Sequence, residues 1–235
     1  MGLNEQWRKF SHNKKIKRVK ELGLPERIGV AKSPFTDPDL LFELAKDRSP
    51  QVRQVVAGNS SINSEVIKLL AHDVNSMVRT IIAKRFDLNE KFVDKLSLDE
   101  SEDVLIAVAL REKLTFEQQT RLSNCGSRVK QKLAIRKDLE FGVAVKLSND
   151  EDPRVRVLLA AMTPFDQILA ELENDNNYEV QRIIAKRRGN FNSQDAKWLK
   201  HDHFSRKLSK IDRDSWMRIL SNEIFRNDLK GRDSA

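Results

Sequence analysis

The chain is poor in several residue types, and each shortage removes a class of function. One cysteine, Cys125, stands in 235 residues, so an intrachain disulfide and any all-cysteine cluster held by one chain are excluded. Eight glycines include no G-x-x-x-x-G-K-[ST] loop, which leaves no phosphate cradle of that type. No apolar run approaches the ~20 residues of a membrane span, and Met1 to Lys20 lacks the apolar stretch of a secretory signal. A cytoplasmic protein without a membrane partner is therefore expected. His201-Asp-His203 brings two imidazoles and a carboxylate together, but a metal centre needs a further ligand and none is at hand, so a surface turn is expected. Cys125 has a cation nearby in Arg128 but no histidine, and lacks the base of a catalytic thiol. No catalytic, cofactor-binding or metal-binding constellation is found.

Charge, by contrast, is plentiful and uneven. The 43 Lys+Arg and 35 Asp+Glu give +8, but residues 1–32 carry +6, residues 33–181 carry −5 and residues 182–235 carry +7. The pI of 9.6 suggests nucleic acid if the chain is taken whole. The acidic middle opposes that reading, and basic ends also serve solubility.

The sequence is organised by a repeat. VRQVVA (52–57), VRTIIA (78–83), VLIAVA (104–109), VKQKLA (129–134), VRVLLA (155–160) and VQRIIA (180–185) have final alanines 26, 26, 25, 26 and 25 residues apart, and ERIGVA (26–31) is a degenerate earlier copy. Before the valines runs an acidic column, Asp47, Asp73, Asp99, Asn124, Asp150 and Asp175. A leucine column holds Leu44, Leu70, Leu96, Leu122, Leu147 and Leu172. A helix-start column reads Asp37, Asn63, Asn89, Thr115, Thr163 and Asn192, broken in one copy where Asp138 or Glu140 are the nearest candidates. Such side chains accept hydrogen bonds from the unpaired N–H groups of a helix start. Pro38, Pro50, Pro153 and Pro164 suit first helical positions, with Ser49 and Asp152 as caps before Pro50 and Pro153. Each unit thus reads as two short helices, too short to stand alone in water. Stacking the copies buries their apolar stripes in one long core.

These columns resemble the leucine-rich repeat variant family, related in shape to HEAT repeats. The match lies in the V-R-x-x-V/I-A block, the capping residue, a Leu-Leu or Val-Ile pair, and Leu-x-x-Asp, over residues 25–190. The resemblance implies an all-α fold: a right-handed α-solenoid, or superhelix, of about seven 25–26-residue two-helix repeats, with one helix layer free to be partly 3₁₀. One member type of the family carries an iron–sulfur cluster on an N-terminal cysteine-rich segment, and with no cysteine before Cys125 that cofactor does not carry over. The expected organisation is a basic N-terminal segment or cap (1–24), the repeat array (25–195) and C-terminal capping helices (196–235), the last on the spacing of Trp216, Ile219, Leu220, Ile224 and Phe225.

Two basic sets compete for functional roles. Arg53, Arg79, Lys130 and Arg156 follow the valine column; they either line a binding face or pair with Asp47, Asp73, Asp99, Asp150 and Asp175, in their own or an adjacent repeat, as a structural ladder. Leu105 and Gln181 interrupt the row, and Arg27 begins it in the early copy. The second set follows the alanines: Lys32, Lys84, Arg85, Arg111, Arg136, Lys137, Lys186, Arg187 and Arg188. It is a candidate binding stripe along one edge, or it complements helix C-termini at ~0.3–1 kcal/mol each. Gly58-Asn59 and Ala161-Met162 interrupt it. The segment from Trp7 to Lys20 reads as an arm for an acidic partner or as an amphipathic cap.

A repeat array with no reaction constellation points to a non-enzymatic scaffold that binds another protein through its groove or a helical edge. Nucleic acid, held by the basic ends and the turn stripe, is the alternative. A DNA glycosylase of the HEAT-like type is a remoter one, because Trp7, Trp198 and Trp216 all lie outside the repeat core.

Overall fold

Short capped segments separated by turns fold here as helices throughout. The computed structural model describes residues 12–189, and among these it contains fourteen α-helices and no strand. The chain divides into a unit of residues 1–184 and a second of 185–235, whose described part is the end of the last helix and the turn after it. The expected C-terminal capping helices, Trp7, Asn192 and the His201–His203 turn lie outside the described residues.

In the first unit α1 (His12–Glu21) precedes α2 (Leu24–Lys32), the second helix of the degenerate copy. Six pairs follow: α3 (Pro38–Leu44) with α4 (Pro50–Gly58), α5 (Ser64–Leu70) with α6 (Ser76–Ala83), and α7 (Glu90–Leu96) with α8 (Glu102–Ala109). Then come α9 (Phe116–Leu122) with α10 (Ser127–Ala134), α11 (Phe141–Ser148) with α12 (Pro153–Met162), and α13 (Asp166–Leu172) with α14 (Tyr178–Arg187). From α2 to α12, each second helix packs along the second helix of the next repeat, more closely than the first helices pack on one another. The α-solenoid expected from the repeat is the fold observed. Both layers are α-helical, and 3₁₀-type i→i−3 bonds occur at helix ends in both, as in Asp47 N–H to Leu44 O after a first helix and Arg85 N–H to Ile82 O after a second.

The columns explain the packing. Val52, Val78, Val104, Val129, Val155 and Val180 are 0% exposed, as are Ala57, Ala83, Ala109, Ala134 and Ala160. The leucine column is buried beside them. A further buried column was missed in the sequence: Ala45, Ala71, Ser97, Ser123 and Ser148 directly follow the leucines. The side chains there are small up to the last pair, where the exposed Glu173 follows Leu172, and the serines satisfy their hydroxyls by donating to the carbonyls of Asp94, Thr120 and Val145 at 2.7 Å.

Capping follows the expected column at Asp37, Asn63, Asn89 and Thr115, the last in a reciprocal capping box with Gln118. Three expectations are corrected. Ser49 stands at the cap position of α4 without a side-chain cap bond. Glu140 stands at that of α11 likewise, and its N–H is satisfied instead by Gln119 Oε1 at 2.9 Å, from the preceding repeat. Thr163 ends α12 rather than starting α13, whose cap position is Phe165, and Pro164 falls in the loop. The reason is the length of α12, which runs ten residues to Met162 and takes up part of the turn.

Consecutive repeats are joined by rungs spaced about one repeat apart. Arg27 Nε meets Asp47 at 2.7 Å, Arg53 meets Asp73 at 2.6 Å, Arg79 meets Asp99 at 2.7 Å, and Arg156 meets Asp175 at 2.6 Å. Lys130 Nζ meets Asp150 at 2.7 Å. Both partner choices left open by the sequence are used at once. The guanidinium pairs with the carboxylate of the next repeat, while Nη1 donates to the backbone carbonyl of its own repeat's aspartate: Asp47 at 2.8 Å, Asp73 at 2.7 Å and Asp150 at 2.6 Å. Each aspartate Oδ1 also accepts the N–H two residues on, at Ser49, Asn75, Ser101, Asp152 and Asn177, which folds the turn into the second helix.

One rung is absent on both sides. Leu105 replaces the arginine, and Cys125, which takes the aspartate's place behind Leu122 with its N–H on Leu122 O, stands twenty residues further on. The helix register thus puts Cys125, rather than Asn124, in the acidic column. Losing both members together avoids a largely buried, unpaired charge, whose cost is ~3–5 kcal/mol against near neutrality for apolar replacement of the pair.

Two predictions follow from the rungs. Asp73→Cys alone is expected to destabilise the protein by ~3–5 kcal/mol, and Arg53→Leu with Asp73→Cys to cost less than the sum of the singles; denaturant unfolding of the four proteins in the cycle measures the coupling. The second prediction concerns acid. Burial alone would raise the carboxyls of Asp99 and Asp152, but hydrogen bonds from Arg79 and Ser101 hold Asp99 below its ordinary range, and those from Arg154 and Ser127 hold Asp152 at about 2. The hydrogen bond from Arg156 lowers Asp175 against its burial. These groups bind fewer protons folded than unfolded. Their contribution is fully present above the unfolded carboxyl pKa of ~4 and is lost as pH falls through the lower folded values. The urea midpoint should hold down to about pH 5 and decline toward pH 2.

Candidate interaction surface

The expected binding stripe is divided between two environments. Arg85 Nη1 donates to the carbonyls of Ala57 at 3.1 Å and Asn59 at 2.9 Å. Arg111 Nη1 donates to Ala83 at 2.9 Å and Arg85 at 2.7 Å. Arg136 Nη1 donates to Ala109 at 2.7 Å and Arg111 at 2.6 Å, while Nη2 reaches the Glu112 carbonyl and the Asp138 carboxylate. Each arginine therefore closes the carboxyl end of the second helix one repeat earlier. The orphan carbonyls that every helix end leaves are satisfied this way, and the cation meets the negative end of the dipole.

Asn59, which interrupts the basic row in the sequence, belongs to this second ladder: its Nδ2 donates to Ala31 at 2.7 Å and Ser33 at 3.0 Å. The signal was a fixed position, two residues past the alanine, occupied by a donor of any charge. Met162 ends the run. Lys32, Lys84 and Lys137 remain exposed on that edge. Lys186, Arg187 and Arg188 belong to the second unit, where Arg187 and Arg188 are exposed and Lys186 is partly covered. Arg53, Arg79, Lys130 and Arg156 are engaged in the rungs described above. At the amino end α1 lies on α3, with Val19 buried, and Lys15 and Lys20 reach Asp37 and Glu43 at 3.8 and 3.2 Å.

The fourth pair departs from the pattern a second time. Where other first helices bury an apolar pair, α9 buries Gln118 and Gln119, both 0% exposed. Gln118 Nε2 donates to the carboxylates of Glu90 and Asp94, and Gln119 Nε2 to the Asp138 carbonyl at 2.9 Å. Their amides are satisfied and serve packing between repeats. Cys125 is half-buried, and burial pushes its thiol pKa up against the influence of Lys130 and Lys146, so it stays protonated at neutral pH. Among the described residues no group of three or more His, Cys, Asp or Glu could hold a metal ion, and no helix is long and apolar enough to cross a membrane.

What the ladders leave open is the outward face of the second helices. Positions 77, 80 and 81 of α6 and its C-cap, 84, lie at i, i+3, i+4 and i+7; Thr80 among them is buried, while Met77, Ile81 and Lys84 are open to solvent to different degrees. The same positions elsewhere carry Val55, Ile106, Leu110, Ile135 and Val157, interleaved with Gln51, Gln54, Asp103, Arg128, Lys132 and Arg154. Met77 and Leu110 are 48% and 57% exposed, and Val55, Ile81, Ile106, Ile135 and Val157 are half-buried. Neighbouring repeats meet across this face: a Cβ on Gly58 would lie 3.9 Å from Ile81 Cγ2. The outward positions of the first helices are mostly polar, with Lys68, Lys95, Lys146 and Glu171 exposed and Leu69 the aliphatic exception.

Removing one rung of the second ladder should be felt in stability. Arg111→Ala leaves the Ala83 and Arg85 carbonyls without that donor, at ~1–3 kcal/mol for each acceptor that becomes buried and unpaired. Lys84→Ala, on the exposed neighbour, should change stability by less than ~0.5 kcal/mol. Thermal and denaturant unfolding of the two variants check this difference.

No protein-family model and no curated protein matches the chain. It is similar to a solved structure described as a leucine-rich repeat variant with a novel repetitive protein structural motif, with a TM-score of 0.55 and 21% sequence identity, over 90% of this chain and 86% of that one. The chain thus has the fold of a leucine-rich repeat variant, the fold that its valine–arginine and leucine–aspartate columns led us to expect.

Proposed function

We propose that the protein is a non-enzymatic scaffold whose row of second helices docks another protein. The observation that carries this reading is the row of apolar side chains Val55, Ile81, Ile106, Leu110, Ile135 and Val157, which recurs from repeat to repeat on the second helices with polar and charged residues between them. Apolar side chains gathered on one accessible face mark interaction sites on proteins that otherwise keep such groups inside. A solenoid offers it as an extended strip, with specificity supplied by the residues between the repeats' fixed columns.

The nucleic-acid reading draws on the basic ends and on the exposed Lys32, Lys84 and Lys137. It is weakened in the middle of the array, where Arg85, Arg111 and Arg136 spend donors on backbone carbonyls and the charge of residues 33–181 is −5. The glycosylase reading rests on fold analogy alone.

A photo-crosslinking side chain placed at Ile106 or Ile135, in cells that make the protein, should yield a protein adduct that survives nuclease. The same group at Lys95, on the first-helix face, should yield little. Equal capture from both faces would defeat the assignment, and an adduct abolished by nuclease would decide for nucleic acid.

A further inference from the structure

The two ladders do not run evenly along the array, and they thin around one pair of helices. Between α2 and α8 every junction carries both. Arg27, Arg53 and Arg79 hold the aspartate of the next repeat, while Asn59, Arg85 and Arg111 close the second helix before them. The fourth pair, α9 with α10, lacks one ladder on each side. Toward the third pair Leu105 and Cys125 leave out the rung, and the second ladder remains through Arg136. Toward the fifth pair the rung is Lys130 to Asp150, one ammonium in place of a forked guanidinium. The second ladder stops there, because Met162 stands two residues past the alanine and a thioether has no hydrogen to donate.

The first helices do not make up the difference. Where α5 and α7 bury apolar pairs, α9 meets α7 through Gln118 on Glu90 and Asp94, and through Arg121 on Asp94 at 3.2 Å. Glu90 is exposed and Asp94 half-exposed, so water competes for these bonds. Arg128 adds an ion pair to Glu102 at 2.7 Å, in solvent, where such pairs contribute little. A hydrogen bond that exchanges with water adds less than an apolar pair withdrawn from it. From these two thinned interfaces we infer that α9 and α10 are the flexure of the array: the inner pair that opens most readily, and the place where the repeats before and after it change tilt. In a stack held by nearest-neighbour interfaces, opening an inner layer costs its own stability plus that of its two interfaces, and this layer has the two least tied. On the second-helix side the flexure lies between Leu110 and Val157, so bending there alters how the two ends of the docking row are presented; the flexure itself does not depend on that docking role.

Hydrogen exchange of the full chain, resolved by peptide and corrected for intrinsic rates, tests the opening. Amides of α10 should exchange about tenfold or more faster than those of α4 and α6, with a weaker urea dependence than global unfolding. Lys130→Arg restores the fork, and Leu105→Arg with Cys125→Asp restores the missing rung. Each should slow exchange in α10 by about tenfold, the return on one charge-assisted hydrogen bond, and leave α4 unchanged. Spin-label distances test the bending. Gln51→Cys with Asp103→Cys, and Asp103→Cys with Arg154→Cys, both in Cys125→Ser, place labels two repeats apart at the same exposed position of α4, α8 and α12. The pair that spans α10 should show the broader distance distribution, and with Leu105→Arg and Cys125→Asp the two widths should converge. Equal protection of α10 and α6, exchange in α10 only with global unfolding, no response to either restoring variant, or equal label widths at the outset would overturn the proposal.

Discussion

The constraint on which this structure depends is the number of backbone groups a short helix leaves unpaired. A helix of seven residues leaves about eight backbone groups, four N–H and four C=O, without a partner inside it, more than one for each residue. A fold made of such helices must satisfy those groups from elsewhere or bury them at high cost. Two ladders do so, and both run between repeats. Arginines after the valine column hold a carboxylate on one side and a turn carbonyl on the other. Arginines or asparagine after the alanine column close the carboxyl ends of second helices. The stacking of repeats is thus as much a hydrogen-bond requirement as a hydrophobic one.

The middle of the array shows how tightly the two requirements are linked. Leu105 and Cys125 replace a rung as a pair, and Gln118 and Gln119 replace an apolar pair with amides that are fully engaged. Each departure is internally balanced: no charge loses its counterpart, and no buried amide loses its partner. The result is a repeat that keeps the register of its neighbours with different chemistry. On its second helix the outward positions hold Arg128 and Lys132 beside Ile135, where the preceding repeat has Ile106 and Leu110.

Function follows from what the ladders do not consume. Arg85, Arg111 and Arg136 are spent on backbone carbonyls and the arginines of the valine column on carboxylates, while Lys32, Lys84 and Lys137 stay exposed. Partly exposed apolar side chains recur along the second helices, and Phe116, Phe141 and Phe165 mark the starts of three successive first helices.

Much of this was legible in the residues alone. The period, the two-helix unit, the buried valine, alanine and leucine columns and five of the helix caps, Asp152 among them, depend on local sequence and on which side chains cannot face water. The sequence also carried both basic rows, but not their roles. Arg85 and Lys84 are adjacent cations in one turn, and only the approach of the preceding repeat brings the Ala57 and Asn59 carbonyls to Arg85. Thr163 looked like a helix start because threonine is a common N-cap, and the extra length of α12 placed it at a helix end instead. Local periodicity determined the elements, since it is a property of one chain segment against solvent. The stacking of repeats decided which polar groups remain free, because a hydrogen bond between residues some twenty-five apart exists only when two repeats are already side by side.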